Sequence, residues 1–425
     1  MLKSFSKKNV SSVVNDGLCT SCGICAGACQ KNCITFYYGE TKNIPQINEK
    51  ACVNCGLCYD ICPGKGLQLN RLSNVFWGEE RNVQTNLYTG HYLQAYVGHS
   101  TNDDIRIHGA TGGMVSQFLI WLLKKNEIEG AVVVRYRHDN PFETEAFIAT
   151  TEKEIWESRS SKYVVLSMDK VANKIATGKY NKLVVVGVPC QIQGWRMLAN
   201  KNPNVRNAIK GFISIYCSIN KIKSSIKYYP WRYRIKDKDV SRFTFRDDGC
   251  MGYMKFIDKN GQTMKKIPYL KFWFGTHSFF TNSRCSLCID QLGELADVSF
   301  GDINIEPYSQ DEIGTNSLIV RSTYWKNLLI QCKEEGAITL DEIEINTLIS
   351  SQQYVQTYKK GAGVKANFIL RKLIGKKNPV YDYKYPGDVS LKIFAVEFCK
   401  ALMRLIGKHP KLWWVVKAFD KDKNN

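Results

Sequence analysis

A chain of 425 residues with a hydrophobic fraction of 44% is long enough for two or three domains and a sizeable core. Residues 1–10 are polar and lysine-bearing with no apolar run behind them, so no signal peptide is expected, and no stretch approaches the apolar length of a membrane span. Sixteen cysteines without a secretion signal argue against a disulfide framework and for metal ligation in a reducing, cytoplasmic setting. The net charge of +20 first suggests nucleic acid. Aromatic and basic residues do interleave between 223 and 246, yet no nucleic-acid module is recognisable, and no nucleic-acid partner is expected. An acidic electron carrier, a phosphate-bearing cofactor or an anionic membrane surface would answer the same charge.

In chain order, residues 1–17 read as a loose leader and residues 18–70 as a ferredoxin-type unit. The unit holds Cys19, Cys22, Cys25 and Cys29, then Cys52, Cys55, Cys58 and Cys62, with Pro63 after the last. Each quartet is C-x2-C-x2-C-x3-C, the run of bacterial ferredoxins that carry two 4Fe–4S clusters. Three thiolates two residues apart wrap three corners of one cube, and the fourth reaches the other cube. The spacing therefore assigns Cys19, Cys22, Cys25 and Cys62 to one cluster, and Cys52, Cys55, Cys58 and Cys29 to the other. A zinc site would commonly mix in His, and no His occurs before His91. Cys33, four residues past Cys29, competes as a ligand in principle but reads as a buried thiol. Short strands are expected at 34–38 and 66–69, one after each quartet.

Residues 71–92 read as a polar linker. From residue 93 to about 350, strands and helices alternate: strands at 93–97, 131–135, 183–188 and 211–216, helices at 112–125, 168–177 and 191–200. This predicts an α/β domain with a mostly parallel sheet. An antiparallel segment follows, with an Asn260-Gly261 hairpin signal between strands at 254–257 and 263–267. Strands at 296–300 and 317–321 and a helix at 324–333 complete the domain. Residues 351–425 form a basic, partly helical tail. Ser390 is a candidate cap for a helix ending near 405. Lys392, Glu397, Lys400, Arg404 and Lys408 fall largely on one face of that helix, and Leu391, Phe394, Phe398, Leu402 and Leu405 on the other. Such a helix, with Trp413 and Trp414 close behind, can lie on an anionic membrane. Docking on its own domain is the commoner use of an amphipathic helix and is the expectation here.

Cys190 sits where a strand turns into a helix, and Cys217 ends an apolar run, so both belong at the carboxyl edge of the sheet, where α/β sites are built. Cys285 and Cys288 form a C-x-x-C in a loop. The four suffice for a third 4Fe–4S cluster. Buried apolar thiols, a redox pair and a zinc site are the alternatives. Cys250, Cys332 and Cys399 read as structural. The glycine-rich turn at 109–113 opens a helix whose free N–H groups suit a phosphate or a flavin edge, although a tight turn explains the glycines equally well.

Together these segments resemble the family of the coenzyme F420 hydrogenase/dehydrogenase beta subunit over roughly residues 15–350. The matching residues are Thr111-Gly112-Gly113-Met114-Val115-Ser116, Ser160-Ser161-Lys162-Tyr163, Gly187-Val188-Pro189-Cys190-Gln191 and Arg284-Cys285-Ser286-Leu287-Cys288. The last is followed by Glu294-Leu295-Ala296-Asp297 and Gly301-Asp302. The resemblance implies a flavoprotein holding FAD beside a 4Fe–4S cluster whose ligands are Cys190, Cys217, Cys285 and Cys288. It places Thr111, Gly112, Gly113, Ser116, Ser161 and Lys162 along the flavin, with Lys162 as the residue that stabilises negative charge on the reduced ring. Where the family often has His after the cysteine matching Cys217, this chain has Ser218. The function implied is an oxidoreductase passing electrons between a low-potential carrier, ferredoxin or deazaflavin-type, and an organic substrate. The alternative is a non-catalytic electron-transfer subunit of a larger complex.

Overall fold

The computed structural model describes residues 8–420. Among them, eight strands form one sheet in the order Asp341–Ile343, Gln94–Gly98, Asn316–Val320, Val298–Asp302, Ile209–Ile215, Leu183–Gly187, Gly130–Tyr136 and Thr144–Ala149. The four strands from Val298–Asp302 to Gly130–Tyr136 are parallel neighbours. Antiparallel strands extend the sheet on both sides, so it is mixed rather than mostly parallel. The parallel strands are covered on both faces, which is why they read as unbroken apolar runs. The edge strand Thr144–Ala149 is half exposed along most of its length and has no such run to announce it. The hairpin Tyr253–Asp258/Thr263–Pro268 turns at Asn260-Gly261, and Val240–Thr244 pairs as its third strand.

Local chemistry sets the helix that follows Leu183–Gly187. Pro189 occupies the first helical position, and the Gln191 side chain accepts the Val188 N–H at 3.0 Å, which together fix the start of Pro189–Lys201. Its inner face carries Ile192, Trp195 and Leu198 into a core shared with Val185 and Phe212 of the sheet. Ile24, Ala28 and Ile61 of the cysteine-rich unit enter that same core, so the unit is docked directly on this helix.

Three expectations are corrected. Residues 71–92 are not a linker. They contain most of the helix Leu69–Trp77 and the strand pair Gln84–Asn86/Gly90–Tyr92. Trp77 is buried and its indole N–H donates to the Glu294 carbonyl at 3.1 Å. The leader likewise contributes structure: Val10–Asn15 is a helix whose Val10 and Val13 are buried beside Cys25 and Cys58. Residues 1–7 lie outside the described part. Residues 66–69 form no strand: 66–68 link the turn Pro63–Lys65 to the helix Leu69–Trp77, and the tail bonds the backbone on either side. The Val380 N–H donates to the Lys65 carbonyl at 2.8 Å, and Asp382 accepts from the Asn70 and Arg71 N–H groups. The strand at Ile34–Tyr38 pairs instead with Asn43–Ile47.

Ahead of a shorter helix, Trp413–Phe419, the tail carries the helix Leu391–Gly407, with the Ser390 hydroxyl accepting the Ile393 N–H at 3.3 Å. It docks on its own domain, beside the helix Tyr269–Phe280. Gly407 meets the Phe279 carbonyl at a distance no side chain could share. The docked face, however, is the charged one: Glu397 and Arg404 are buried, while Leu391, Phe398, Leu402 and Leu405 are exposed. Cys332 is buried in the core, whereas Cys399 is exposed on this helix and is not a structural thiol.

Candidate redox centres

Cys19, Cys22, Cys25 and Cys62 line one cavity of the N-terminal unit. Burial pushes the Cys62 thiol up to about 12, reinforced by Cys22 and Cys19. Cys58 is raised to about 11 by burial, with Cys55, Cys29 and Cys52 as neighbouring charges. The eight cysteines thus fall into two groups in which Cys62 joins the first triplet and Cys29 the second. Cys33 is a fifth thiol of the second group. It is buried, its Sγ lies 3.2 Å from that of Cys29, and its N–H points at the same sulfur. Cys55 is exposed, so the second group faces solvent, while Cys22 and Cys25 are buried.

Cys190 stands in the first turn of Pro189–Lys201, and Cys217 lies two residues beyond Ile209–Ile215. The two preceding strands are parallel neighbours, so both thiols emerge at one edge of the sheet. Cys285 lies within the short turn of helix Ser283–Leu287, and Cys288 directly follows it. All four line one cavity, and Cys22 lines it too. Burial drives the Cys190 thiol well up, with Cys22, Cys288, Cys217 and Cys285 adding to it in that order. The Asn220 N–H points at the Cys285 sulfur at 3.4 Å, the type of contact that tunes a cluster. Two buried cations complete the lining. Lys359 donates to the Cys285 carbonyl at 3.0 Å. Arg284 donates to the Gly64 and Pro63 carbonyls and to the Tyr381 hydroxyl. Burial opposes both charges, yet Cys288 and a neighbouring tyrosine hold each above its ordinary range. Four convergent thiols with two cations fit a cluster that carries net negative charge.

In the sequence Arg284 stands out only as the first residue of the matching motif, and Lys359 does not stand out. Arg284 stands directly before Cys285, which was a usable signal, and Lys359 lies in a stretch, 351–380, that has no Asp or Glu. The motif acids Glu294 and Asp297 serve elsewhere. Glu294 pairs with buried Lys360 at 2.6 Å, and Asp297 pairs with Arg196 at 2.7 Å while accepting the Phe212 N–H. They lock the tail and the helix Pro189–Lys201 to the sheet.

The remaining sequence candidates gather around Arg246, which carried no signal of its own. Its guanidinium donates to Asp302 at 2.9 Å and to the Thr111 hydroxyl at 3.0 Å, and Thr111 itself bonds Asp302. The Arg246 carbonyl accepts the Ser160 hydroxyl, which brings 111–116 and 160–163 to one place. Gly112 and Gly113 both adopt left-handed backbone at φ +62° and +69°, a conformation that favours glycine. Asn316 closes on the turn and accepts the Met114 N–H at 3.1 Å. Ser116 and Ser161 are partly exposed. The Lys162 ammonium donates to the carbonyls of Ser158, Arg159 and Ser160 at 2.5, 2.6 and 3.1 Å. Burial and the nearby Arg159 pull it down to about 7. Arg246 is a buried cation, and among the described residues the one carboxylate pairing with it is Asp302. That buried positive charge suits an anionic cofactor.

Residues 95–173 match the N-terminal part, and residues 180–346 the C-terminal part, of the coenzyme F420 hydrogenase/dehydrogenase beta subunit. This chain belongs to that family. Residues 18–65 match a 4Fe–4S dicluster domain, so this relative of the F420 hydrogenase/dehydrogenase beta subunit is an iron–sulfur protein suited to electron transfer. It is 24% identical over 346 residues to the coenzyme F420-dependent sulfite reductase of Methanocaldococcus jannaschii, covering 78% of this chain and 48% of that protein. The chain therefore spans about half the length of that relative. It is 24% identical to a subunit of the F(420)H(2) dehydrogenase of Methanosarcina mazei, over 78% of this chain and 87% of that one. It is 27% identical to the coenzyme F420 hydrogenase subunit beta of Methanothermobacter thermautotrophicus, over 68% and 99%. A chain of the F420-reducing NiFe hydrogenase complex from Methanosarcina barkeri shares the fold, with a TM-score of 0.53 and 17% identity over 71% of this chain and 99% of that one.

Proposed function

We propose that this chain is a flavin- and iron–sulfur-dependent oxidoreductase that passes electrons between a low-potential carrier, ferredoxin or deazaflavin-type, and an organic substrate. The observation that carries the reading is the single cavity lined by Cys22 of the dicluster unit and by Cys190, Cys217, Cys285 and Cys288 of the α/β domain. One ligand set is Cys52, Cys55, Cys58 and Cys29, open to solvent at Cys55, where a carrier protein can dock. Next comes the buried set Cys19, Cys22, Cys25 and Cys62. The third set is Cys190, Cys217, Cys285 and Cys288. Electrons stepping inward along these sets would reach the α/β domain without crossing solvent.

FAD is the cofactor that would connect such a relay to an organic substrate. When bound, a flavin exchanges electrons in pairs as hydride and singly with clusters. The residues that would hold it are Thr111, Gly112, Gly113, Ser116, Ser161 and Lys162. Arg246 would supply positive charge for its phosphates, and Asp302 keeps Arg246 and Thr111 aligned. Lys162 acts through the turn 158–162, whose carbonyls it draws together.

A second reading is a relay subunit inside a larger complex. Two of the relatives carry "subunit" in their names, which favours it for a chain of this length. One anaerobic preparation decides between the readings: iron, sulfide and flavin are quantified per chain, and absorbance and EPR are recorded on reduction. About twelve irons, three cubes of four, with one FAD per chain supports the enzyme reading. About eight irons without flavin overturns it and leaves a relay.

A further inference from the structure

The helix Leu391–Gly407 is inside out. Among its exposed residues only Lys392, in the first turn, is charged, and the rest of the outer face, Leu391, Ala395, Phe398, Leu402 and Leu405, is apolar. Leu391 is 85% exposed and Leu405 55%. The inner polarity has its own explanation. Glu397 bonds Asn367 at 2.6 Å and Lys400 at 2.7 Å, and with Arg404 they line a polar pocket beside His277 and Cys285. That pocket accounts for the charges facing inward and leaves the outer apolar face uncovered.

The surroundings of this face are cationic. Lys392 opens the helix, and Lys408, Lys411 and Lys417 follow its end, with Trp414 66% exposed among them. A flat apolar face bordered by lysines and a tryptophan is the pattern of a helix lying in a lipid interface, its apolar side in the acyl boundary and its cations on anionic headgroups. Its 17 residues are charged on one side, and no described helix is long and apolar enough to cross a membrane, so it would lie in the plane.

We propose that the outer face of Leu391–Gly407 docks this protein peripherally on an anionic lipid bilayer. This does not depend on the redox reading. The test uses the full chain loaded with its clusters, floated in a density gradient with vesicles of phosphatidylcholine alone or mixed equally with phosphatidylglycerol. The protein is expected to float with the mixed vesicles, to float at least about tenfold less with phosphatidylcholine alone, and to be released by high salt. The double variant Phe398→Glu/Leu402→Glu, with unchanged iron content showing that it folds, is expected to stay at the bottom. Brominated lipid should quench tryptophan fluorescence, and Trp414→Phe should remove most of that quenching. Failure to float with mixed vesicles overturns the proposal. So does a concentration-dependent dimer, without flotation, that Leu402→Glu dissolves, since a second copy would then cover the face.

Discussion

Cys22 and Cys190, 168 positions apart in the chain, line the same cavity, Cys22 from the N-terminal unit and Cys190 from the first turn of Pro189–Lys201. The shared cavity joins the N-terminal unit to the sheet edge. Replacing Cys190 by Ala should remove about four irons per chain, one cube's worth, and leave the EPR of the two N-terminal clusters intact. Dye reduction of those clusters should persist while transfer beyond them stops. An unchanged iron content would remove Cys190 from any ligand set.

Lys359 places a buried positive charge against the Cys285 carbonyl. Reduction adds negative charge to a cluster, so a nearby cation favours the reduced state. Lys359→Met should make the potential of the third cluster more negative, on the order of 50 mV for a unit charge at this range in a partly screened interior. Redox titration followed by EPR reads the shift. A potential that stays in place would mean that Lys359 only fastens the backbone.

Buried Arg246 pairs with the partly exposed Asp302 beside Thr111. Asp302→Asn leaves the buried guanidinium without its carboxylate, and because Asp302 is partly exposed the cost should fall below the roughly 3–5 kcal/mol of a fully buried pair. Thermal unfolding should show the loss. Arg246→Lys keeps the charge and sheds the fork, so stability should fall less while flavin retained through gel filtration falls several-fold. Full flavin retention in Arg246→Lys would argue that the cofactor lies elsewhere.

Lys221 is fully buried, donating to the Tyr229 hydroxyl at 2.7 Å and to Thr276 at 3.0 Å, and burial lowers it to about 7. In the unfolded chain a lysine titrates near 10.4. Between about pH 7 and that value the unfolded chain binds the extra proton, so this group's contribution to stability rises with pH across the window and is flat below about 7. The melting temperature of the wild type minus that of Lys221→Met should therefore increase from pH 7 to pH 9. Lys162 titrates similarly but is common to both proteins, so it drops out of the difference. A difference that does not change with pH would contradict the buried, neutral lysine.

Much of the fold was written locally. Thiolate spacing forces tight loops, so the dicluster unit was legible without coordinates. The apolar runs at Leu183–Gly187 and Ile209–Ile215 announced buried parallel strands, and Asn260-Gly261 announced a hairpin. Long-range contacts decided the rest. The helix Leu69–Trp77 is held by Glu294 and Asp382, more than two hundred residues away, so its own polar texture read as a linker. Arg246 gathers Thr111, Ser160 and Asp302 only because strand and loop ends meet there. The helix Leu391–Gly407 is the sharpest case. Its periodicity determined that one face is apolar and the other charged, but periodicity is the same whichever side faces the protein. Only the polar pocket beside Cys285 and the close approach of Gly407 to Phe279 turned the charges inward and left the apolar side outside.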